Sequence, residues 1–323
     1  MLVDKLFENK KANTILAPMA GYTDVAFRRI CHDFGVGLTV TEMVSSKALV
    51  MKNALTKTLL VQKYGDKPCF CQIFGHEPQV MAESVTFDEV QKFDGVDINM
   101  GCPVRKIVGN GDGSALMENP RLAAECISAV RKVWHKPLSV KFRLGVIDDT
   151  PAVNFASVCR DAGADFVTVH FRTRKQMYAG EADYSLLPQI VKSAQIPVFA
   201  NGDVKTRNQY LQLIDMGAYG VAVGRGAVGN PQVFAKIADI PYKIDILQTI
   251  IRQTELLKDV YSDTVVANEM KKHVTFYLKG KRNAKPVVVA VNTSKRTSDI
   301  LRLVEDFFVA EPQYRFEQSG DKC

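Results

Sequence analysis

One cysteine of this chain stands where a strand should end. Residues 96–104 form an apolar run that leads into a glycine, a cysteine and a proline. Buried strands have this composition, and Gly and Pro end them, so Asn99 and Cys102 should lie at the C-terminal end of a strand. In parallel α/β folds, chemistry takes place at this edge of the sheet. A lone cysteine is more often a small apolar core residue, so the role of Cys102 depends on its neighbours.

Polar residues also follow the other apolar runs of the chain. Lys141, projecting from its run, would be a fixed cation near the centre of a ring of such residues, suited to stabilise negative charge on a reduced flavin. Gln72 offers such a flavin both a donor and an acceptor. With an ordinary pKa of about 8.5, the Cys102 thiol would stay mostly protonated at neutral pH and could donate a proton. Hydride from a flavin and this proton would saturate a polarised C=C bond.

Two glycine-rich turns, at residues 201–203 and 224–226, suggest a phosphate site. In barrels of alternating strands and helices, such sites are commonly built from the loops after the seventh and eighth strands. Glycine lets backbone N–H groups approach phosphate oxygens, and Arg225 adds a charge. We therefore expect a phosphorylated cofactor or substrate at these turns.

Short apolar runs alternate with amphipathic segments from residue 14 onward, which predicts an α/β fold. The predicted strands are residues 14–17, 38–42, 69–74, 95–100, 138–143, 166–171, 197–200 and 220–223. The predicted helices between them include residues 24–33, 78–92, 120–134, 152–162 and 186–193. Eight such cycles over about 230 residues are typical of a (β/α)8 TIM barrel.

A different pattern begins after residue 231. Residues 244–261 and 265–278 have apolar positions at helical spacing, and Pro286 suits the first turn of another helix. We expect a barrel domain over residues 1–238 and a C-terminal all-helical domain over residues 239–323, with a frayed tail from residue 312. Basic residues without an acidic one between them indicate a phosphate-backbone surface. They are Lys271, Lys272, Lys279, Lys281, Arg282, Lys285, Lys295 and Arg296.

The composition is that of a water-soluble protein with a sizeable core. The chain has 323 residues, 46% of them apolar, and a net charge of +7. It has no apolar run long enough to span a membrane and no apolar N-terminal segment, so we expect a cytoplasmic protein, which we take to be a monomer. Its seven cysteines form no C-x-x-C pair and no ligand spacing with the histidines, so neither disulfides nor a metal site is predicted.

The polar segments resemble the motifs of one family, the tRNA-dihydrouridine synthases, and among them the bacterial B-type. The resemblance covers about residues 10–310. The segments that carry it are 18–24 (PMAGYTD), 42–45 (EMVS), 99–104 (NMGCPV), 140–143 (VKFR), 170–174 (HFRTR), 201–203 (NGD) and 224–226 (GRG). The thiol motif and the His-x-Arg-Thr-Arg motif are rather specific, whereas other FMN barrels share the glycine turns. Phe171 stands where the family usually has glycine.

The resemblance implies FMN-dependent reduction of the C5–C6 double bond of a D-loop uridine in tRNA, driven by NADPH or NADH. Cys102 would protonate C5 while hydride reaches C6, and Asn99 would bind the uracil, which must be flipped out of the tRNA. Arg172, Arg174 and Lys175 would face the substrate. The implied FMN-binding residues are Pro18, Met19, Ala20, Gln72, Lys141, His170, Asn201, Gly202, Asp203, Gly224 and Arg225.

Two alternatives remain open. An FMN barrel oxidoreductase that acts on a free pyrimidine-like molecule would not need a basic helical domain. A tRNA-binding protein whose flavin activity is secondary would not need the complete ring of polar residues, the thiol included.

Overall fold

The computed structural model describes residues 2–8, 10–53, 58–60, 68–148 and 151–320. Its main feature is a closed barrel of eight parallel strands, the last hydrogen-bonded to the first. The strands are β1 (Thr14–Leu16), β2 (Leu38–Ser45), β3 (Cys69–Phe74), β4 (Gly95–Met100), β5 (Leu138–Arg143), β6 (Phe166–His170), β7 (Val198–Asn201) and β8 (Gly220–Val223). The predicted (β/α)8 fold is confirmed.

Phenylalanines fill the N-terminal end of the barrel interior. Phe70 and Phe199 are fully buried there. Helix α1 (Leu2–Phe7) closes this end, and the ring centroid of Phe7 lies 5.1 Å from that of Phe199. Gly95 leaves room for the packing, because a Cβ at this position would lie 2.2 Å from the Phe70 ring. The polar side chains of the interior therefore lie toward the other end, where the strands finish.

Helices connect the strands and cover the outside of the barrel. The first of them begins after Asp24, whose carboxylate accepts a hydrogen bond from the backbone N–H of Phe27 at 2.9 Å, a typical N-cap. These helices are α2 (Val25–Asp33), α3 (Ser46–Val50), α4 (Pro78–Ser84), α5 (Asp88–Gln91), α6 (Arg105–Gly109), α7 (Pro120–Val133), α8 (Pro151–Asp161), α9 (Leu187–Ala194), α10 (Arg207–Asp215) and α11 (Val233–Ala238). A 3-10 turn over Gly113–Glu118 follows α6.

Several elements differ by a few residues from their predicted bounds, and two of these differences have a local structural cause. The helix predicted over residues 78–92 is broken between α4 and α5, because the N–H and the hydroxyl of Thr86 both donate to the carbonyl of Glu83, at 3.0 and 2.8 Å, and close the turn. Strand β2 continues to Ser45, beyond its predicted end at residue 42. A register shift against β3 between Val40 and Met43 accommodates the longer strand.

The C-terminal region contains four helices and a small sheet. The helices are α12 (Ile246–Lys258), α13 (Asp263–Tyr277), α14 (Ala284–Thr293) and α15 (Thr297–Ala310). Helix α14 confirms the helix predicted from Pro286. The unpredicted sheet pairs β9 (Lys243–Asp245) with β10 (Phe316–Gln318) in antiparallel fashion.

The prediction of a frayed tail from residue 312 is wrong for most of its length. A 3-10 turn covers Pro312–Tyr314, and in β10 the carboxylate of Glu317 accepts hydrogen bonds from Gln232 Nε2 at 3.0 Å and Tyr242 Oη at 2.9 Å. Lys236 Nζ lies 2.8 Å from the same carboxylate. These partners are remote in sequence, so no local pattern reveals them.

The helical region packs directly on the barrel. His273 of α13 is fully buried, and its Nε2 lies 3.2 Å from the carboxylate of Asp24. Gly229, after β8, has a φ of +70°, and a Cβ there would lie 2.5 Å from the backbone of Phe276. The two regions are therefore in close contact. The domain boundary at residue 239 stays a prediction. Within the described ranges, no helix has the length and apolar content needed to cross a membrane.

Candidate functional site

A row of buried polar side chains crosses the barrel interior below its mouth. The registers of β3, β4 and β5 make Gln72, Asp97 and Ser139 neighbours, and the Asp97 carboxylate accepts hydrogen bonds from Gln72 Nε2 and Ser139 Oγ, each at 2.6 Å. Burial raises the pKa of Asp97, and these hydrogen bonds and the Lys141 cation oppose the rise. Because side chains alternate along a strand, Asn99 and Lys141 lie on the same inner face, closer to the mouth.

Asn99 connects this row to the thiol. Its Nδ2 donates to Gln72 Oε1 at 3.0 Å and, more weakly, to Met43 Sδ at 3.6 Å. Its Oδ1 accepts the backbone N–H groups of Gly101 at 3.1 Å and Cys102 at 2.9 Å. Asn99 and Cys102 therefore meet at the end of β4, as their positions in the sequence predict, and the amide holds the turn that carries the thiol.

Cys102 is the one partly exposed cysteine among the six that the structure describes. Burial raises the pKa of its thiol, although the backbone N–H of Val104 and the cations of Arg143 and Lys141 act in the opposite direction. The carbonyl of Cys102 accepts hydrogen bonds from the N–H of Ser114 at 3.1 Å and from its hydroxyl at 2.9 Å. The thiol is therefore protonated at neutral pH and held in place, which suits a proton donor.

The glycine-rich segment that follows folds back onto Cys102. Gly113 has a φ of +59°, and a Cβ there would lie 2.9 Å from the carbonyl oxygen of Cys102. At the end of this segment, Glu118 Oε2 accepts from Arg174 Nη1 at 2.6 Å. Arg174, predicted to face the substrate, is thus partly buried in an ion pair, whereas its neighbour Lys175 is exposed.

Two cations lie beside the thiol at the end of β5. Burial and the nearby Arg143 lower the pKa of Lys141 from 10.5 to about 8, so most of this side chain is still charged at neutral pH. Arg143 is 3% exposed. Its Nε donates to the carbonyl of Gly101 at 2.8 Å, and its Nη1 donates to those of Thr173 and Met177 at 3.1 and 2.7 Å. Arg143 thereby ties the thiol turn to the loop after β6.

His170 and Arg172 lie side by side at the end of β6. Burial and the surrounding cations hold the pKa of His170 well below its usual range, so the ring is neutral. Arg172 is 1% exposed, and its guanidinium donates to the carbonyls of Ala179 and Gly180 at 3.1 and 2.6 Å and to Asp203 Oδ2 at 2.5 Å. Although predicted to face the substrate, Arg172 therefore has its donors directed into the protein.

The turns after β7 and β8, where a phosphate site is predicted, meet at Asp203 and Arg225. Within the described ranges, the backbone N–H groups of Gly202, Asp203, Gly224 and Arg225 have no hydrogen-bond partner in the protein. Arg225 is 53% exposed, and its Nη2 lies 3.5 Å from Asp203 Oδ1. The side chain of Asn201, in contrast, donates to a carbonyl of β8 at 2.7 Å. Free N–H groups beside an exposed guanidinium are the kind of donors that bind phosphate in proteins.

The loop after β1 completes the ring. Pro18 and Met19 are partly buried there and Ala20 is exposed. Residues 224–229, on the neighbouring side, have the G-x-G-x-x-G spacing of dinucleotide-binding sites. They follow the last strand of a closed barrel, however, and Gly229 is required by the contact with α13, so they do not form a Rossmann motif.

Tyr178 belongs to the site but was not predicted. Its ring is 52% exposed and lies between two guanidinium groups, 5.5 Å from that of Arg143 and 5.1 Å from that of Arg225. It stands in the long loop after β6, where no periodicity marks it. Phe171, in contrast, is fully buried outside the barrel, with its ring centroid 4.6 Å from that of Tyr184, so this departure from the family motif does not reshape the mouth.

The basic residues of the helical region divide into two groups. Lys272 Nζ lies 2.5 Å from Glu269 Oε2, and Lys281 Nζ lies 5.3 Å from the centroid of the Tyr314 ring. The side chains of Lys271, Lys272 and Lys281 are partly buried. The exposed ones are Lys279, Arg282, Lys285, Lys295 and Arg296.

Comparison with known proteins shows the family. The family model described as Dihydrouridine synthase (Dus) matches residues 15–310. A probable tRNA-dihydrouridine synthase of Rickettsia conorii is 34% identical over 312 residues, which cover 93% of this chain and 94% of that protein. The tRNA-dihydrouridine synthases B of Xanthomonas axonopodis pv. citri and Pseudomonas aeruginosa are 33% and 32% identical, over 92% and 91% of this chain and 92% of each relative. The chain therefore belongs to the tRNA-dihydrouridine synthase family of enzymes.

Proposed function

We propose that this enzyme reduces the C5–C6 double bond of a D-loop uridine in tRNA, with bound FMN and with NADPH or NADH as the transient reductant, as a cytoplasmic monomer. The main support is the arrangement at the barrel mouth. A protonated thiol, Cys102, faces the same ring as a partly buried cation, Lys141, and an anion site at the ends of β7 and β8. A reduction that delivers a proton to one carbon beside a negatively charged cofactor needs this combination.

The residues at the mouth fit FMN. The free N–H groups at residues 202–203 and 224–225 and the exposed Arg225 suit its phosphate. Lys141 offers a cation, and Gln72 a polarised amide, to the ring system. Burial keeps His170 neutral, so that it can accept or donate a hydrogen bond without adding charge. When bound, FMN would supply the hydride that reaches C6 of the uracil.

The protein itself supplies the proton and the positioning. Cys102 donates its proton to C5, and the Asn99 N–H that now contacts Met43 Sδ at 3.6 Å is available to a uracil carbonyl. Because the guanidinium of Arg172 is occupied by Asp203 and two carbonyls, we assign it to holding the phosphate turn instead of contacting the substrate. Arg174 and Lys175, at the rim, remain candidates for contact with the tRNA.

The proposed function is tested with the purified protein and with cells that lack it. The protein should be yellow and release FMN on denaturation. It should form dihydrouridine in unmodified tRNA with NADPH or NADH but leave free uridine unchanged, and tRNA from cells without the protein should lose dihydrouridine at D-loop positions. A colourless protein that FMN does not reconstitute would refute the cofactor, and reduction of free uridine would favour the small-molecule alternative.

Charge reversal at the exposed cations of the helical region should weaken tRNA binding. Lys279→Glu with Arg282→Glu is expected to lower the affinity for tRNA about tenfold and to reduce the slope of log affinity against log salt by about one per lost phosphate contact. The measurement is a filter-binding titration at several salt concentrations. The matched control reverses two exposed lysines on barrel helices, Lys132→Glu with Lys192→Glu. An equal loss in both double variants would contradict a specific tRNA surface.

A further inference from the structure

A buried carboxylate lies beneath the site, and it is not one of the predicted site residues. Asp97 is 2% exposed and stands on the inner face of β4, two residues before Asn99. Both of its oxygens accept short hydrogen bonds, from Gln72 Nε2 and from Ser139 Oγ. A buried carboxylate is costly, and a barrel interior can be filled by apolar side chains, as it is at the other end of this one.

The series of hydrogen bonds that ends on the Asp97 carboxylate has a single possible direction. A carboxylate accepts and does not donate, so Gln72 must turn its NH2 group toward Asp97 and its carbonyl toward Asn99. Asn99 must then turn its NH2 group toward Gln72, at 3.0 Å, which leaves its carbonyl for the N–H groups of Gly101 and Cys102. Asp97 fixes the orientation of the Gln72 amide, and Gln72 fixes that of Asn99. The series of hydrogen bonds ends at the backbone of Cys102, the residue that carries the thiol.

We propose that Asp97 is a positioning residue that fixes the orientation of the Gln72 and Asn99 amides and, through them, the placement of the Cys102 thiol. The orientation also sets what Asn99 presents to a substrate. Its remaining N–H is a donor that has only the weak acceptor Met43 Sδ, at 3.6 Å. At position 4 of the pyrimidine, a donor matches the carbonyl of uracil and not the amino group of cytosine. This consequence rests on the proposed function; the orientation of the amides does not.

Two substitutions of Asp97 distinguish the loss of its hydrogen-bond acceptor from the loss of its negative charge. In Asp97→Asn, the new amide can accept from Gln72 and donate to the hydroxyl of Ser139, which is able to accept. The series of hydrogen bonds is therefore kept. In Asp97→Leu, similar in size, no acceptor remains and Gln72 is free to turn. The readout is the rate at which iodoacetamide alkylates Cys102 in the native protein, measured on the Cys102 peptide by mass spectrometry. The expected rise is about tenfold for Asp97→Leu and within about twofold for Asp97→Asn.

An exchange of the side chains at positions 97 and 99 tests the direction of these hydrogen bonds. Asn99→Asp alone sets a carboxylate oxygen against Gln72 Oε1, so alkylation of Cys102 should rise. Adding Asp97→Asn lets Gln72 turn over, accept from position 97 and donate to position 99. The double variant should therefore return toward the wild-type rate, although each carboxylate and amide has changed place. Additive effects of the two substitutions would overturn the proposal, because independent side chains do not rescue each other.

Two further measurements distinguish positioning from general stability. The buried Cys126 and Cys159 should stay unreactive in every variant; if their alkylation rises in parallel with that of Cys102, Asp97 only holds the fold together and the proposal fails. In steady-state assays, Asp97→Leu should lower kcat about 10²-fold with little change in the KM for tRNA. The alkylation needs neither FMN nor tRNA, so its outcome stands even if the proposed reaction proves wrong.

Discussion

Replacement of Cys102 by alanine should lower dihydrouridine formation by about 10³-fold while FMN and tRNA stay bound. General acid catalysis typically contributes factors of about 10² to 10⁴, and the thiol is the group that burial keeps protonated at the barrel mouth. Within the described ranges, no hydrogen bond joins the side chain of Cys102 to residues 202–203 or 224–225. Loss of the thiol should therefore remove the proton transfer and leave the binding sites intact.

The Cys102→Ala variant is measured by its turnover on unmodified tRNA, its FMN content and its affinity for tRNA. The matched control is Cys126→Ala, which removes a sulfur atom from the buried face of α7, away from the mouth, and should keep the turnover of the native enzyme. Cys102→Ser is a second test, because a hydroxyl is a weaker acid than a thiol. Full turnover by Cys102→Ala would remove its role as the proton donor.

The inner face of the barrel could be predicted because side chains alternate along a strand. Gln72, Asn99 and Lys141 are polar residues in otherwise apolar runs, and a closed parallel barrel brings the ends of its strands together. The structure places all three on one inner face, linked through the registers of β3, β4 and β5. Periodicity therefore identified the strand ends, and the fold rule brought them into one ring.

Other features of the site depend on contacts that periodicity does not contain. Asp97 is two residues from Asn99 and lies on the same face of β4. Only the register of three strands shows that it lies between Gln72 and Ser139. The motif of Arg172 predicts contact with the substrate, whereas its burial follows from the carbonyls of Ala179 and Gly180 in the loop after β6. Long-range partners of this kind are set by tertiary packing, so local sequence patterns do not reveal them.

Lys141→Met should abolish most of the activity and yet stabilise the folded protein at neutral pH. Loss of a preorganised cation at a reacting centre typically costs about 10² to 10³ in kcat. Burial, and then Arg143, lower the pKa of Lys141 from 10.5 to about 8, so the folded state carries this charge at a cost. The shift corresponds to a gain of about 3 kcal/mol at most in the free energy of unfolding of Lys141→Met. This gain is reduced because Asp97 loses a favourable cation.

The pH dependence of this gain follows from the direction of the shift. Because the folded pKa of Lys141 lies below the unfolded one, the unfolded chain binds more protons between about pH 8 and pH 10.5. The contribution of Lys141 to the free energy of unfolding therefore rises with pH over this interval, whereas buried cysteines and tyrosines with raised pKa values act in the opposite direction. Comparison of the variant with the native protein isolates the contribution of Lys141. The advantage of Lys141→Met should be largest below pH 8 and shrink as the pH rises toward 10.5.

Urea unfolding of protein freed of FMN measures this difference at several pH values. The control is Lys132→Met on the exposed face of α7, where the change in the free energy of unfolding should stay within about 0.5 kcal/mol. A Lys141→Met variant that is less stable than the native protein at pH 7 would contradict the burial cost. A gain in stability together with lost turnover would show that the enzyme keeps a destabilising charge at its barrel mouth because the reaction needs it.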